Sequence, residues 1–263
     1  MSAAVFVGWE LRHPHPLLDP RLFRQHGLAS GATVITSESL AMFGFFFVGL
    51  QYLQVIKGYS PFVAALALMP LALAAMVFSP IVPALHTKLG YRPVVTAGMI
   101  MIAAGLIVMT TLTADSSYSP IAIGVFALGS GIAFAATPAT EAIMAALPAE
   151  KQGVASALND VTRELGGVLG IALLGSVFAS TYRDHTTASA AQLPSEAARA
   201  VEDSVTAGVA IGSAPGAPPQ LLPNVLDSFH TAMATALIAG VAVVIAGAFL
   251  ALVTGRTSKK RSR

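Results

Sequence analysis

A chain of 263 residues that is 55% hydrophobic and only 11% charged, with mean hydropathy +0.72, is far from a soluble domain, where about a quarter of residues carry charge. Lipid is therefore the solvent for most of it. The net charge of +2 comes from basic residues at helix ends with no aromatic-interleaved basic stripe, which argues against nucleic acid as a partner. The lack of cysteine removes disulfides, thiolate metal sites and a cysteine nucleophile.

In chain order, Met1 to Gly8 is apolar but too short to span a bilayer, and it has no basic n-region before it, so it is not a signal peptide. It reads as the last turns of a preceding helix, or as a short amphiphilic start lying at the interface, with residues 1–27 forming that remnant and a linker. Long apolar runs then predict membrane-spanning helices over residues 28–54, 62–85, 94–114, 119–140, 153–182 and 229–254. The fifth is long enough for its first turns to project from the membrane. Between the fifth and sixth lies an Ala-, Ser- and Pro-rich loop, residues 183–228, read as partly disordered with a short amphipathic helix near 195–205. Residues 255–263 form a basic tail.

The loops set an orientation. Arg12, Arg21, Arg24, Lys88, Arg92, Lys151, Arg256, Lys259, Lys260, Arg261 and Arg263 fall on one side of a six-span bundle, and Lys57, Arg183 and Arg199 on the other. The positive-inside rule makes the first side, with the C-terminus, cytoplasmic, and the loop 183–228 extracytoplasmic. Tyr52, Tyr59, Tyr91, Tyr118 and Tyr182 all fall near predicted helix ends, where amphipathic rings favour the headgroup level.

Glu38 sits about ten residues into the first helix, near mid-membrane at 1.5 Å per residue. An ionisable group there is costly unless paired or hydrated, so it marks a proton or substrate pathway, or else a glutamate hydrogen-bonded across the bundle. Gln51 and Gln54 close the same helix on the outer side, where they could bond a passing ligand or merely meet headgroups. Glu141 follows Pro138 near the end of the fourth helix and reads as interfacial. In the fifth, Gly166 and Gly170 have the GxxxG spacing that lets another helix approach closely. Asp160, Arg163 and Glu164 lie within one turn and can neutralise one another locally, a capping or gating cluster. Lys88, Gly90 and Arg92 mark a tight turn between the second and third helices. No HExxH, GxSxG or P-loop is present, and His13 with His15 makes a weak metal pair, so neither an enzyme nor a cofactor is expected.

Three pieces of the sequence resemble the major facilitator superfamily, C-terminal half, in its fourteen-helix drug:proton antiporter branch. They are Leu50-Gln51-Tyr52-Leu53-Gln54 with Gly58-Tyr59-Ser60-Pro61 and Met69-Pro70, the Leu85 to Arg92 loop, and the Gly153 to Gly170 segment. The last is similar to G-x-A-S-x-x-x-x-x-x-R-x-L-G-G, matching at Gly153, Ala155, Ser156, Arg163, Leu165, Gly166 and Gly167. The loop is similar to G-x-L-x-D-R-x-G-R-R, departing at Pro83 and Thr87, which weakens a salt-bridge role there.

The resemblance implies an all-α integral membrane fold, a six-helix half-bundle built as an inverted 3+3 repeat. It also implies a half-transporter in the cell membrane that exports small lipophilic compounds against protons once an N-terminal half, or a second copy, completes it. By this reading Glu38, Gln51 and Gln54 line the pathway, and Lys88, Gly90, Arg92, Asp160, Arg163, Gly166, Gly167 and Gly170 serve gating and helix packing. The chain alone is expected not to transport. A non-transporting membrane scaffold, or an inactive truncated fragment, is the alternative.

Overall fold

The computed structural model describes residues 26–254, so the readings of Met1 to Gly8, of most of the linker and of the basic tail lie outside the described residues. Six helices are long and apolar enough to cross a membrane: 27–56, 61–78, 91–110, 118–145, 149–190 and 221–254. Helix α1 (His26–Gln51) runs into a π-turn, Tyr52–Ile56, in which Lys57 N–H donates to the Tyr52 carbonyl at 3.0 Å. Ser60 then starts the second span: its hydroxyl accepts from Val63 N–H at 3.3 Å and Pro61 takes the first helical position, where a missing N–H costs nothing.

That span departs from the expected 62–85. It is α2 (Pro61–Ala67) and α3 (Met69–Phe78), interrupted at Leu68 because Pro70 has no N–H to return to the preceding turn. Pro80 then ends it, and the chain restarts as α4 (Val82–Leu89) with Pro83 in its first turn. The predicted Lys88–Arg92 turn is thus a helix end and a helix start meeting at one residue: Gly90, at φ +88°, closes α4 and begins α5 (Tyr91–Thr110). Only glycine adopts that backbone freely.

Helix α6 (Tyr118–Ala145) carries Pro138 without interruption. After a 3-10 turn, α7 (Gln152–Ala190) runs for 39 residues, about 58 Å at 1.5 Å each, well beyond the hydrocarbon thickness. The expected break at 182 is absent. Tyr182 lies inside α7, 2% exposed and stacked on Phe178 at 6.1 Å, and Tyr52 is fully buried, so neither is a headgroup residue. The connector is also more ordered than its composition suggests. It folds into α8 (Ser195–Asp203) and α9 (Val205–Gly212), and α10 (Leu221–Thr254) begins eight residues ahead of the predicted 229. Ala190, Val201, Leu221 and Val225 form a small apolar core beneath the pair, which is what overrides the disorder-prone composition.

Short connectors make successive spans antiparallel, and their packing shows the internal repeat. α1 packs on α7 as α6 packs on α3, and α1 packs on α10 as α6 packs on α5. Exchanging the first three spans with the last three maps these contacts onto one another, as an inverted three-plus-three repeat requires. The shared core runs through Phe45, Tyr52, Met99, Leu106, Leu128 and Phe229. The exposed apolar surface includes α2–α3, with Phe62 73% exposed and Met69, Leu73 and Met76 exposed along it, and one face of α7, with Val161, Leu165, Val168 and Leu169.

Candidate functional site

The glycines of α7 build the site. A Cβ on Gly166 would lie 2.6 Å from the Thr36 carbonyl oxygen of α1, and one on Gly170 would overlap the Leu40 backbone. Their absence lets α7 lie directly against α1 over residues 36–40, the stretch that carries Glu38. Gly167 faces the Phe43 ring in the same seam.

One turn before Gly166, Arg163 reaches across this seam. Its Nη1 donates to Glu38 Oε1 at 3.3 Å, joining residues 125 positions apart. Glu38 is 2% exposed and Arg163 38%, so the carboxylate is inside while the guanidinium is partly exposed at the edge of the seam. Glu38 Oε2 is buried and has no hydrogen-bond partner among the described residues, and the same holds for the neighbouring Ser39 hydroxyl. A half-satisfied carboxylate in a lipid-embedded bundle is costly, and such a group is characteristic of proton and cation pathways.

This corrects the local charge cluster. Arg163 makes its ion pair with Glu38, whereas Asp160 and Glu164 are exposed. The sequence flagged both Glu38 and Arg163, but no spacing rule links positions so far apart. Near by, Thr140 of α6 donates to Asn159 of α7 at 3.1 Å, a polar contact that sequence reading missed.

Gln51 and Gln54 do not join Glu38. They lie thirteen and sixteen positions further along the same helix, about 20 to 24 Å away. Gln51 donates to the Phe47 carbonyl at 3.2 Å and, with Phe47, Phe178 and Arg183, lines a cavity of ≈ 180 Å³ roofed by the junction of α8 and α9. Gln54 is exposed within the π-turn. An ion pair between Arg183 and Asp203, 2.8 Å, closes the rim of that cavity.

At the opposite end, Lys88 and Arg92 flank Gly90. His86 Nδ1 lies 2.9 Å from Glu141 Oε2, joining α4 to α6. The Tyr91 ring packs edge-on to His86 at 6.1 Å, and its hydroxyl accepts from Ser30 of α1 at 3.1 Å. Glu141, read as merely interfacial, therefore belongs to a network connecting four helices. No group of three or more metal-ligating side chains occurs among the described residues.

The chain is 34% identical over 180 residues to multidrug resistance protein Stp of Mycobacterium tuberculosis, covering 68% of this chain and 33% of that protein. It is 28% identical over 250 residues to multidrug efflux pump LfrA of Mycolicibacterium smegmatis, covering 94% and 50%. It is 32% identical over 189 residues to the tetracenomycin C resistance and export protein of Streptomyces glaucescens, covering 70% and 35%. The chain thus spans between a third and half of the length of these relatives. A family model described as Major Facilitator Superfamily matches residues 6–171, which include Glu38, Arg163 and the seam glycines Gly166, Gly167 and Gly170. With its all-α, six-span fold and internal repeat, the chain belongs to the Major Facilitator Superfamily, a family of transporters rather than enzymes.

Proposed function

We propose that this chain is one six-helix bundle of a proton-coupled exporter of small lipophilic compounds, with Glu38 as its proton-binding group. The observation that carries this reading is the buried Glu38 carboxylate with one oxygen held by Arg163 and the other unpartnered. When Glu38 is ionised, its attraction to Arg163 clamps α1 to α7; when a proton neutralises it, the clamp is lost and the guanidinium is released. Two helices that slide on a glycine seam and change their electrostatic grip with one proton are suited to alternating access. The relatives named for multidrug efflux and for tetracenomycin C resistance and export favour drug-like cargo.

Export needs a second bundle facing the first, and the exposed apolar faces of α2–α3 and α7 suit a helical partner, either an N-terminal half or a second copy of this chain. The basic loop ends face the cytoplasm of a plasma membrane, which puts the α8–α9 pair outside. Lys88, Gly90, Arg92 and the His86–Glu141 contact then form the cytoplasmic hinge, and Gln51 and Gln54 meet cargo only near the outer mouth.

Ethidium efflux driven by an imposed pH gradient in proteoliposomes tests this. The chain alone is expected to give no efflux. Joined to the N-terminal half it should transport, and Glu38→Gln in that assembly should abolish the pH-driven component while leaving expression intact. Wild-type coupling by Glu38→Gln would return Glu38 to a packing role.

A further inference from the structure

At the end of the bundle away from Gly90, the loop 111–117 between α5 and α6 is gripped by side chains from two other spans. Tyr52 Oη donates to the Thr113 carbonyl at 2.8 Å, and Lys57 Nζ donates to the carbonyls of Ala114 and Ser116, both at 2.9 Å. The third grip has the opposite polarity. Ala114 N–H donates to His230 Nε2 of α10 at 3.0 Å.

A backbone N–H is only a donor, so the Nε2 that accepts it carries a lone pair, which makes His230 neutral with its proton on Nδ1. That Nδ1 is buried and finds no acceptor among the described residues. The contact therefore holds the ring in one tautomer without rewarding it at the other nitrogen. The ring as a whole is only half-buried, so protons can reach it.

We propose that His230 is a proton-binding site of this chain, separate from Glu38, whose occupancy unlatches the 111–117 loop from α10. A proton taken from water adds to the Nε2 lone pair; a new N–H bond forms there, and the resulting Nε2–H points at the Ala114 N–H. Two donors cannot share the contact, so the loop or the ring must move. The tilted packing of Tyr52 against the ring, 6.4 Å between centroids, and of Phe229, 6.0 Å, makes the ring part of a larger aromatic group that would shift with it.

The charged and titratable groups around the ring are few. The carboxylates nearest the ring are Asp227, one turn earlier on α10, and Asp115 in the loop. From the end of α1 come the Lys57 ammonium and the Tyr52 hydroxyl, both bonded to the same loop. α5 has its ionisable residues, Tyr91 and Arg92, at its far end, and α7 presents Phe178 to the neighbouring Phe229 rather than a charge. Acid on this side of the membrane thus acts on a contact joining α10 to the α5–α6 connector, while Lys57 and Tyr52 keep the connector tied to α1.

The test uses the full chain in lipid nanodiscs and needs no substrate, so it stands apart from the export reading. Nitrogen-15 NMR of imidazole-labelled protein, with His230 assigned by its loss in His230→Gln, should show the Nδ1–H tautomer when neutral. Hydrogen exchange over residues 111–117, corrected for intrinsic pH dependence, should lose on the order of tenfold protection as the ring charges. His230→Gln, which offers a carbonyl oxygen that does not titrate, should keep the protection and lose the step. An Nε2–H tautomer in the wild type, or an unchanged step in His230→Gln, would overturn the proposal.

Discussion

Glu38 Oε1 and Arg163 Nη1 meet at 3.3 Å across a seam that glycine alone permits, so a packing motif and a charge motif turn out to be one device. A double-mutant cycle should measure it. The coupling energy between Glu38→Gln and Arg163→Gln is expected to be about 1–2 kcal/mol, less than for a fully buried pair because Arg163 is 38% exposed. Arg163→Gln should lower the melting temperature more than Glu38→Gln, since it alone leaves a buried carboxylate uncompensated. Thermal unfolding in one detergent decides the order.

The glycines of the Gly153–Gly170 stretch should separate cleanly. Gly153→Ala meets nothing within 4 Å and lies near the start of α7, so it is expected to be neutral or to stabilise by up to about 1 kcal/mol. Gly170→Ala drives a methyl into the Leu40 backbone and should cost about 2 kcal/mol or more. Equal melting temperatures for the two variants would contradict the close α1–α7 contact.

Lys57→Met removes the donor shared by the Ala114 and Ser116 carbonyls and should cost about 1 kcal/mol. Faster hydrogen exchange should be confined to residues 111–117, leaving α8 and α9 unaffected.

For the outer helical pair, the apolar core matters more than the visible ion pair. Arg183→Ala breaks an exposed contact and should change stability by less than about 1 kcal/mol. Val201→Asp places a charge in the Ala190–Leu221–Val225 cluster and should undock α8, giving rapid limited proteolysis between residues 191 and 220. Equal protease sensitivity in both variants would argue against this division.

The six spans were legible in the sequence because hydrocarbon imposes a length that apolar runs either meet or miss. Their ends were less so. Pro80 cuts the second span short through a missing N–H, while Pro138 leaves α6 intact, and nothing in composition tells the two apart. The connector 183–228 looked disordered because its Ala, Ser and Pro content hides four well-spaced apolar residues that make a core only in three dimensions. Glu38 stood out as an acid in an apolar run, and Arg163 as a cation in one. Their pairing, like that of His86 with Glu141, joins residues far apart in the chain and depends on which helices pack together.

The π-turn at Tyr52–Ile56 holds one residue more than a regular helix needs, and that surplus rotates everything after it by about 100°. Wound as a regular α-helix, the same residues would carry Lys57 about 140° round from Tyr52, and the two grips on the 111–117 loop could not both form. Removing a single residue between 53 and 56 should therefore do less harm than a deletion elsewhere in α1, because the remaining residues close a regular α-turn that returns the lysine to within about 40° of Tyr52.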